Sequence, residues 1–66
     1  MKNNVRVERA RQRMSQQELA EKTGVSRQTI NAIELGKFNP STVLALKMSL
    51  VFGISVNEIF QLEEGD

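Results

Sequence analysis

Serine residues set ahead of apolar segments divide this 66-residue chain into short helices. Four serines have the sequence surroundings of helix starts: Ser15, Ser26, Ser41 and Ser55. Ser15 and Ser55 are each followed three positions later by a glutamate, which is the pattern of a capping box. In a capping box the serine hydroxyl accepts from the third backbone N–H, and the glutamate carboxylate accepts from the serine N–H. Starts at this spacing leave room only for short helices.

The residues around these starts, and those that follow each segment, complete the helix predictions. Apolar pairs that can form hydrophobic staples flank three of the starts: Met14 with Leu19, Val25 with Ile30, and Ile54 with Ile59. Gly24, Gly36 and Gly53 each follow a periodic segment, where a glycine adopts a left-handed cap without a steric penalty. The predicted helices are Val5–Arg13, Gln16–Thr23, Arg27–Leu35, Thr42–Phe52 and Val56–Phe60. We therefore predict an all-α fold of five helices, in one domain over residues 1–66.

The predicted fourth helix is apolar nearly all round. Only Thr42, Lys47 and Ser49 interrupt its apolar residues. A helix that is apolar on every side is typical of a buried position. We expect this helix to form the buried centre of the bundle.

The two ends of the chain have a second interpretation. Apolar residues alternate with polar ones near both ends, at Val5, Val7, Phe60 and Leu62. Such alternation is also typical of short strands. We keep Val5 onward as helix, while Met1–Asn3 and Gln61–Glu63 remain candidates for a small edge ribbon.

The residue types that the chain lacks exclude several classes of function. It contains no cysteine and no histidine, which excludes disulfides, the usual zinc sites, and thiol or imidazole catalysis. No apolar run approaches the roughly 20 residues that span a bilayer, and nothing resembles a signal peptide. We expect a cytoplasmic protein with no catalytic activity, no metal, no cofactor, no membrane partner and no evident small-molecule ligand.

Charge is unevenly distributed along the chain, although the net charge is only +1. Residues 1–37 carry eight basic and four acidic side chains, whereas residues 38–66 carry one basic and four acidic side chains. A basic half favours a polyanionic partner such as nucleic acid. A solvated helix surface explains such a distribution equally well.

The second and third predicted helices form the segment most specific for a function. They are joined by residues 23–25, with Gly24 at the turn, and together span about residues 16–35. A helix, a tight glycine turn and a second helix form the helix-turn-helix, which docks in the major groove of DNA. Ala20 is small where the third helix crosses, and Ile30 and Ile33 face the shared core. The same spacing also suits an ordinary pair of bundled helices.

The face of the third helix that lies opposite the core is suited to reading bases. The predicted base-reading residues are Arg27, Gln28, Thr29, Asn31 and Ala32. Arginine pairs with guanine, and glutamine or asparagine pairs with adenine. Gln28 is therefore the first candidate, followed by Arg27 and Asn31. Arg27 also suits a phosphate, and Ala32 offers only an apolar contact to a thymine methyl group.

Backbone contacts to DNA are predicted where helices begin. Gln16 lies in the first turn of the second helix, where the helix dipole favours a phosphate. Ser26, at the start of the third helix, is a further candidate. The alternative for Gln16 is a solvated side chain without a ligand.

The stretch from Ser15 to Glu34 closely resembles the Cro/cI-type helix-turn-helix, of the lambda-repressor-like, xenobiotic-response-element family. Residues 36–41 and 52–60 also resemble that family's connections, so the likeness covers about residues 5–60. The chain is similar in length to short stand-alone members such as the cytolysin-operon repressors. In these cytolysin-operon repressors the chain ends form a small β-ribbon, and the proteins act as homodimers on palindromic operators. The resemblance implies a sequence-specific transcriptional regulator of double-stranded DNA, and it favours a repressor.

The resemblance also implies roles for particular residues. A matching glutamine in the family contacts a phosphate, which supports Gln16, and Lys37 and Asn39 match further backbone contacts. An exposed loop lysine is the alternative for Lys37. Arg9 and Glu34 match an ion pair of the family and are assigned to structure.

Glu8 departs from the family pattern, which usually has an aliphatic residue at this position. Either the first helix is slightly rotated, or Glu8 reaches solvent or a nearby arginine. The departure affects the packing of the first helix and leaves the helix-turn-helix unchanged.

Dimerisation is expected to use apolar surface near the C-terminal end, with Ile59, Phe60 and Leu62 as candidates. A symmetric dimer places its two recognition helices about 34 Å apart, the spacing of successive major grooves on one face of the duplex. The alternative function is an antitoxin or adaptor of the same fold, whose main partner is another protein.

Overall fold

The computed structural model describes all 66 residues and contains five helices and a two-stranded sheet. The elements are β1 (Lys2–Asn3), α1 (Val5–Arg11), α2 (Gln16–Thr23), α3 (Arg27–Glu34), α4 (Thr42–Phe52), α5 (Val56–Ile59) and β2 (Phe60–Gln61). The predicted five-helix architecture with a small ribbon at the chain ends is confirmed. None of these helices combines the length and apolarity needed to cross a membrane.

The ribbon uses residues slightly different from those predicted. β1 and β2 are antiparallel, with Lys2 opposite Gln61 and Asn3 opposite Phe60. The second strand therefore begins at Phe60 and replaces the last residue of the predicted fifth helix. Phe60 has φ −122° and ψ 133°, an extended conformation that pairs its backbone with β1 while its side chain enters the core.

One core of eleven buried apolar side chains joins all five helices and β2. Its members are Val5, Met14, Leu19, Ala20, Ile30, Ile33, Leu44, Met48, Phe52, Ile59 and Phe60. The apolar residues that flank the starts of α2, α3 and α5 enter this core or pack against it. Burial of these residues therefore fixes where the three helices begin relative to one another.

Helix α4 is buried on one face only, so the prediction of a fully buried central helix was wrong. Leu44, Met48 and Phe52 recur every four residues and enter the core. We call the exposed apolar residues of the opposite face the α4 stripe: Val43, Leu46 and Leu50. Their side chains are 62%, 54% and 84% exposed, respectively. The other elements pack against one side of α4, and no element of the protomer covers the stripe.

Helix α1 ends at Arg11, two residues before the predicted end. Arg13 has φ +53°, in the left-handed region, so it cannot continue a right-handed helix. The Arg13 N–H donates to the Ala10 carbonyl at 3.1 Å, and the Met14 N–H donates to the Arg9 carbonyl at 2.9 Å. These two bonds form a Schellman motif, with an arginine at the position where glycine is usual.

Replacing Arg13 with glycine is expected to stabilise the fold by roughly 0.5–1 kcal/mol. The left-handed conformation costs an L-residue about 1–2 kcal/mol, and glycine avoids this cost. Glycine loses more backbone entropy on folding, which offsets about 0.5–1 kcal/mol of the stabilisation. Urea unfolding curves of the two proteins measure the difference. Gly36→Ala is the matched control, because Gly36 has φ +74° and an added Cβ meets nothing within 4 Å. Gly36→Ala should destabilise the fold by a similar amount. If Arg13→Gly also destabilises the fold, the left-handed conformation of Arg13 is not the source of strain.

Glu8 lies on the buried side of α1. Its carboxylate is 3.5 Å from the Nε atom of Arg11, one turn further along the helix. Of the alternatives left open by the sequence, the structure forms the contact with a nearby arginine.

Candidate nucleic-acid interface

Hydrogen bonds of two serines determine where α2 and α3 begin. The Glu18 N–H donates to the Ser15 hydroxyl at 3.0 Å, and the Ser15 N–H donates to the Glu18 carboxylate at 3.1 Å. At the next start the Thr29 N–H donates to the Ser26 hydroxyl at 3.1 Å. These bonds satisfy N–H groups that a helix start leaves unpaired. The caps therefore set the starts of both helices at the residues that the sequence predicted.

The turn between these helices is short because Gly24 adopts a left-handed conformation. Gly24 has φ +75°, and its N–H donates to the Ala20 carbonyl at 2.8 Å. Ala20 is buried beside Leu19 in the core, together with Ile30 and Ile33 of α3. With Ile30 and Ile33 inward, the polar residues of α3 are directed to the other side.

The outward face of α3 presents polar side chains to solvent. Arg27, Gln28 and Asn31 are exposed, while Thr29 and Ala32 are half-buried. The Thr29 hydroxyl lies 3.0 Å from the Ser26 hydroxyl, so it is already engaged in a hydrogen bond. Three of the five predicted base-reading residues are therefore exposed in the protomer.

The residues predicted to contact the DNA phosphate backbone lie at both ends of this face. Ser26 lies at the start of α3, and Lys37 and Asn39 are exposed in the loop that follows it. Gln16 is half-buried at the start of α2, and it is bound to α3. Its Nε2 atom is 3.1 Å from the Asn31 Oδ1 atom and 3.3 Å from the Glu34 Oε1 atom. The structure therefore brings Gln16 and Asn31, two predicted DNA contacts, into one hydrogen-bonded cluster.

Arg9 and Glu34 join α1 to the end of α3 through a two-bond ion pair. The Arg9 Nε atom donates to Glu34 Oε2 at 2.7 Å, and the Nη2 atom donates to Glu34 Oε1 at 3.0 Å. The third guanidinium nitrogen donates to the Met14 carbonyl at 2.8 Å. The two side chains are only 15% and 6% exposed. Hydrogen bonding to Glu34 raises the pKa of Arg9 above its ordinary value, so the guanidinium stays charged.

Two further residues near α3 were not predicted from the sequence. Arg6 lines an open cleft of about 320 Å³ together with Arg9, Gln16, Asn31 and Glu34. Asn3 of β1 donates from Nδ2 to the Ile33 carbonyl at 2.9 Å and so binds the C-terminal end of α3. No local pattern indicates the Asn3 contact, because the two residues are 30 positions apart.

The predicted dimer residues do not share one surface. Ile59 and Phe60 are buried in the protomer core, and only Leu62 is exposed. The prediction for Ile59 and Phe60 was wrong because α5 and the ribbon need these side chains for the protomer's own packing. Of the seven large apolar side chains that are exposed, three lie instead on the α4 stripe, more than on any other element.

Two short helices joined by a tight turn, the second with a polar outward face, define the helix-turn-helix class of DNA-binding proteins. The family model described as helix-turn-helix matches residues 5–59 of the chain. An HTH-type transcriptional regulator of Methanocaldococcus jannaschii is 47% identical over 66 residues, which is the whole of both chains. The HTH-type transcriptional regulator YgzD of Bacillus subtilis is 48% identical over 64 residues, or 97% of each chain. The chain belongs to the Cro/cI-type helix-turn-helix family of transcriptional regulators, which implies DNA binding and is not a family of enzymes.

Solved structures of similar proteins have the same fold. The restriction-modification controller protein C.AhdI from Aeromonas hydrophila is 32% identical, with a TM-score of 0.78 over 85% of each chain. The hypothetical transcription factor NHTF from Neisseria is 29% identical, with a TM-score of 0.77. The match covers 83% of the present chain and 62% of the NHTF chain.

Proposed function

We propose that this protein is a sequence-specific transcriptional repressor that binds a palindromic operator as a homodimer. The observation that carries the proposal is the outward face of α3, where Arg27, Gln28 and Asn31 are exposed. Helix-turn-helix proteins insert this helix into the major groove, with its N-terminal residues at the base edges. Arginine suits guanine, and the two amide side chains suit adenine.

The remaining contacts fix the position of α3 on the duplex. Gln16, Ser26, Lys37 and Asn39 lie around the two ends of the outward face and bind phosphates. Thr29 and Ala32 lie at its edges and make the lesser contacts to bases. Residues 1–37, which form β1 to α3 and the start of the next loop, carry the basic excess of the chain. That excess supports attraction to DNA by this half of the domain.

The α4 stripe supports a homodimer. None of its three residues is a proposed DNA contact, so two copies can join there with both recognition helices free. Leu46 also lines a largely apolar groove with Met1, Ala45 and Val56, which extends the stripe toward the ribbon. A two-fold axis through the stripe places the same apolar patch of each copy against the other, as an isologous interface requires.

Occupancy of the operator by the dimer is sufficient for repression. A dimer bound across two successive major grooves excludes other proteins from that stretch of promoter DNA. The domain, residues 1–66, carries out this repression in the cytoplasm. A reporter gene placed behind the operator should lose expression when the protein is produced, and increased expression would contradict repression.

Gln28→Ala and Lys37→Ala are expected to weaken DNA binding in different ways. Loss of a bidentate base contact costs about 1–3 kcal/mol, roughly 5–150-fold, at particular base pairs only. Loss of a phosphate contact weakens all sequences alike and lowers the slope of log K against log salt by about one. Fluorescence anisotropy with the operator and its single-base variants, at several salt concentrations, separates the two effects. Equal losses on every duplex for Gln28→Ala would rule out its role as a base reader.

A further inference from the structure

Both N–H groups of the Gln16 side-chain amide are directed to acceptors of the protein. A primary amide has two N–H donors and one carbonyl acceptor. The Gln16 Nε2 atom lies 3.1 Å from Asn31 Oδ1 and 3.3 Å from Glu34 Oε1, so each N–H has an acceptor. A DNA phosphate offers acceptors only. Gln16 must therefore release at least one of these bonds before it donates to a phosphate.

The same bond occupies the group with which Asn31 would read adenine. An asparagine binds adenine by accepting from N6 through Oδ1 and donating to N7 through Nδ2. In the protomer Asn31 Oδ1 already accepts from Gln16. One internal hydrogen bond thus occupies both the Gln16 N–H that would donate to a phosphate and the Asn31 Oδ1 that would accept from a base.

We propose that the Gln16–Asn31 hydrogen bond is a latch that makes the phosphate contact and the base contact depend on each other. This inference rests on the proposed DNA-binding function. On the operator, opening the latch gives both side chains a DNA partner. On unrelated DNA only Gln16 gains a partner, while Asn31 Oδ1 returns to water. The latch therefore weakens binding to unrelated DNA, and on the operator the base contact of Asn31 offsets the cost of opening it.

Glu34 is the positioning residue for this latch. Two bonds from Arg9 fix its carboxylate, and its Oε1 atom accepts from both Arg9 Nη2 and Gln16. After the bond to Asn31 opens, the bond to Glu34 still holds the Gln16 amide at the open cleft beside Arg6. The ion pair thereby keeps the released N–H of Gln16 at the position where a phosphate approaches α2.

A double-mutant cycle on two duplexes tests the latch. The proteins are wild type, Gln16→Ala, Asn31→Ala and the double variant. The duplexes are the operator recovered from a random pool and a scrambled duplex of equal length and composition. Asn31→Ala should weaken operator binding but strengthen binding to the scrambled duplex about 2–10-fold, the worth of one hydrogen bond. The gain on the scrambled duplex should vanish when Gln16 is also alanine.

Two observations would overturn the latch. One is that Asn31→Ala gives no gain on the scrambled duplex, and the other is a gain that persists without Gln16. Asn57→Ala is the matched control, since Asn57 is an exposed asparagine on α5, and it should leave both affinities unchanged.

A measurement without DNA separates failure of the latch from failure of the proposed function. In NMR spectra, Asn31→Ala should shift the side-chain amide signals of Gln16 and leave those of its exposed neighbour Gln17 in place. Unchanged Gln16 signals would overturn the latch. If the signals shift but wild type prefers no DNA sequence, the internal bond is real and the proposed function is wrong.

Discussion

Replacing Arg9 with alanine is expected to destabilise the domain by about 3–5 kcal/mol, because it leaves a buried charge without its partner. The stranded group is the Glu34 carboxylate, whose side chain is only 6% exposed. A domain of 66 residues has a total stability of roughly 3–10 kcal/mol. The variant should therefore lose at least about a third of this stability, as measured by circular dichroism in a urea titration. Where the titration shows the variant to be unfolded, loss of DNA binding reports loss of folding rather than loss of a DNA contact.

Arg11→Ala is the matched control for this prediction. Arg11 lies on the same helix, is 72% exposed, and meets Glu8 at 3.5 Å. The Glu8 side chain is 12% exposed, but its single contact is with a solvent-exposed arginine that water can replace, so the loss of Arg11 costs less than about 1 kcal/mol. Removing both charges, with Arg9→Ala and Glu34→Ala together, should restore part of the stability lost in the single variant. If Arg9→Ala costs no more than Arg11→Ala, the Arg9–Glu34 pair has no structural role.

Leu46→Asp is expected to convert the proposed dimer into folded monomers. Leu46 lies between Val43 and Leu50 on the α4 stripe, and its side chain is 54% exposed. A charge buried in a two-fold interface meets its own copy across the axis, so the interface loses apolar contact and gains repulsion. Affinity for the full palindrome should fall about 10²–10⁴-fold, because binding of two linked half-sites becomes binding of one. Sedimentation equilibrium and anisotropy measure the two effects.

Leu50→Asp and Val7→Asp complete this experiment. Leu50 is 84% exposed, so its replacement leaves the protomer core intact and should also give monomers. Val7 is an exposed valine of α1 outside the stripe, and Val7→Asp should remain dimeric. A dimeric Leu46→Asp protein would show that the stripe is not the interface. A monomeric wild type, with and without operator, would rule out the homodimer and favour an apolar partner of another kind at the stripe.

Local chemistry was sufficient to predict the helix starts and the orientation of α3. The Ser15 capping box and the Ser26 cap depend on residues only three positions apart, so they are visible in the sequence. The spacing of Ile30 and Ile33 placed those two side chains inward and the polar residues outward. A short-range pattern predicts a structure well when the contacts that form it are also short-range.

The sequence did not predict features that depend on an unusual backbone conformation or on tertiary packing. An arginine gives no indication of a left-handed conformation, so the early end of α1 at Arg13 was not predicted. An apolar residue suits either a core or a partner surface, and only packing separates Phe60, which is buried, from Leu46, which is exposed. The composition of α4 therefore did not show which of its faces the other helices cover.

In the candidate site too, the sequence predicted the local features and not the long-range contacts. The residue types suited to bases and phosphates were predicted from their positions on α2, α3 and the following loop. The bonds of Gln16 to Asn31 and Glu34 join residues 15 and 18 positions apart, and that of Asn3 to Ile33 joins residues 30 positions apart. Such bonds depend on the crossing of helices and have no signature in either segment alone.

Selection of bound sequences from a random pool of DNA duplexes tests the central claim most directly. The claim is that two copies of α3 read a specific sequence in successive major grooves. It predicts enrichment of a palindrome whose half-sites are centred about 10–10.5 base pairs, or about 34 Å, apart. Recovery of duplexes with no common sequence after repeated rounds, from a folded and dimeric protein, would contradict it.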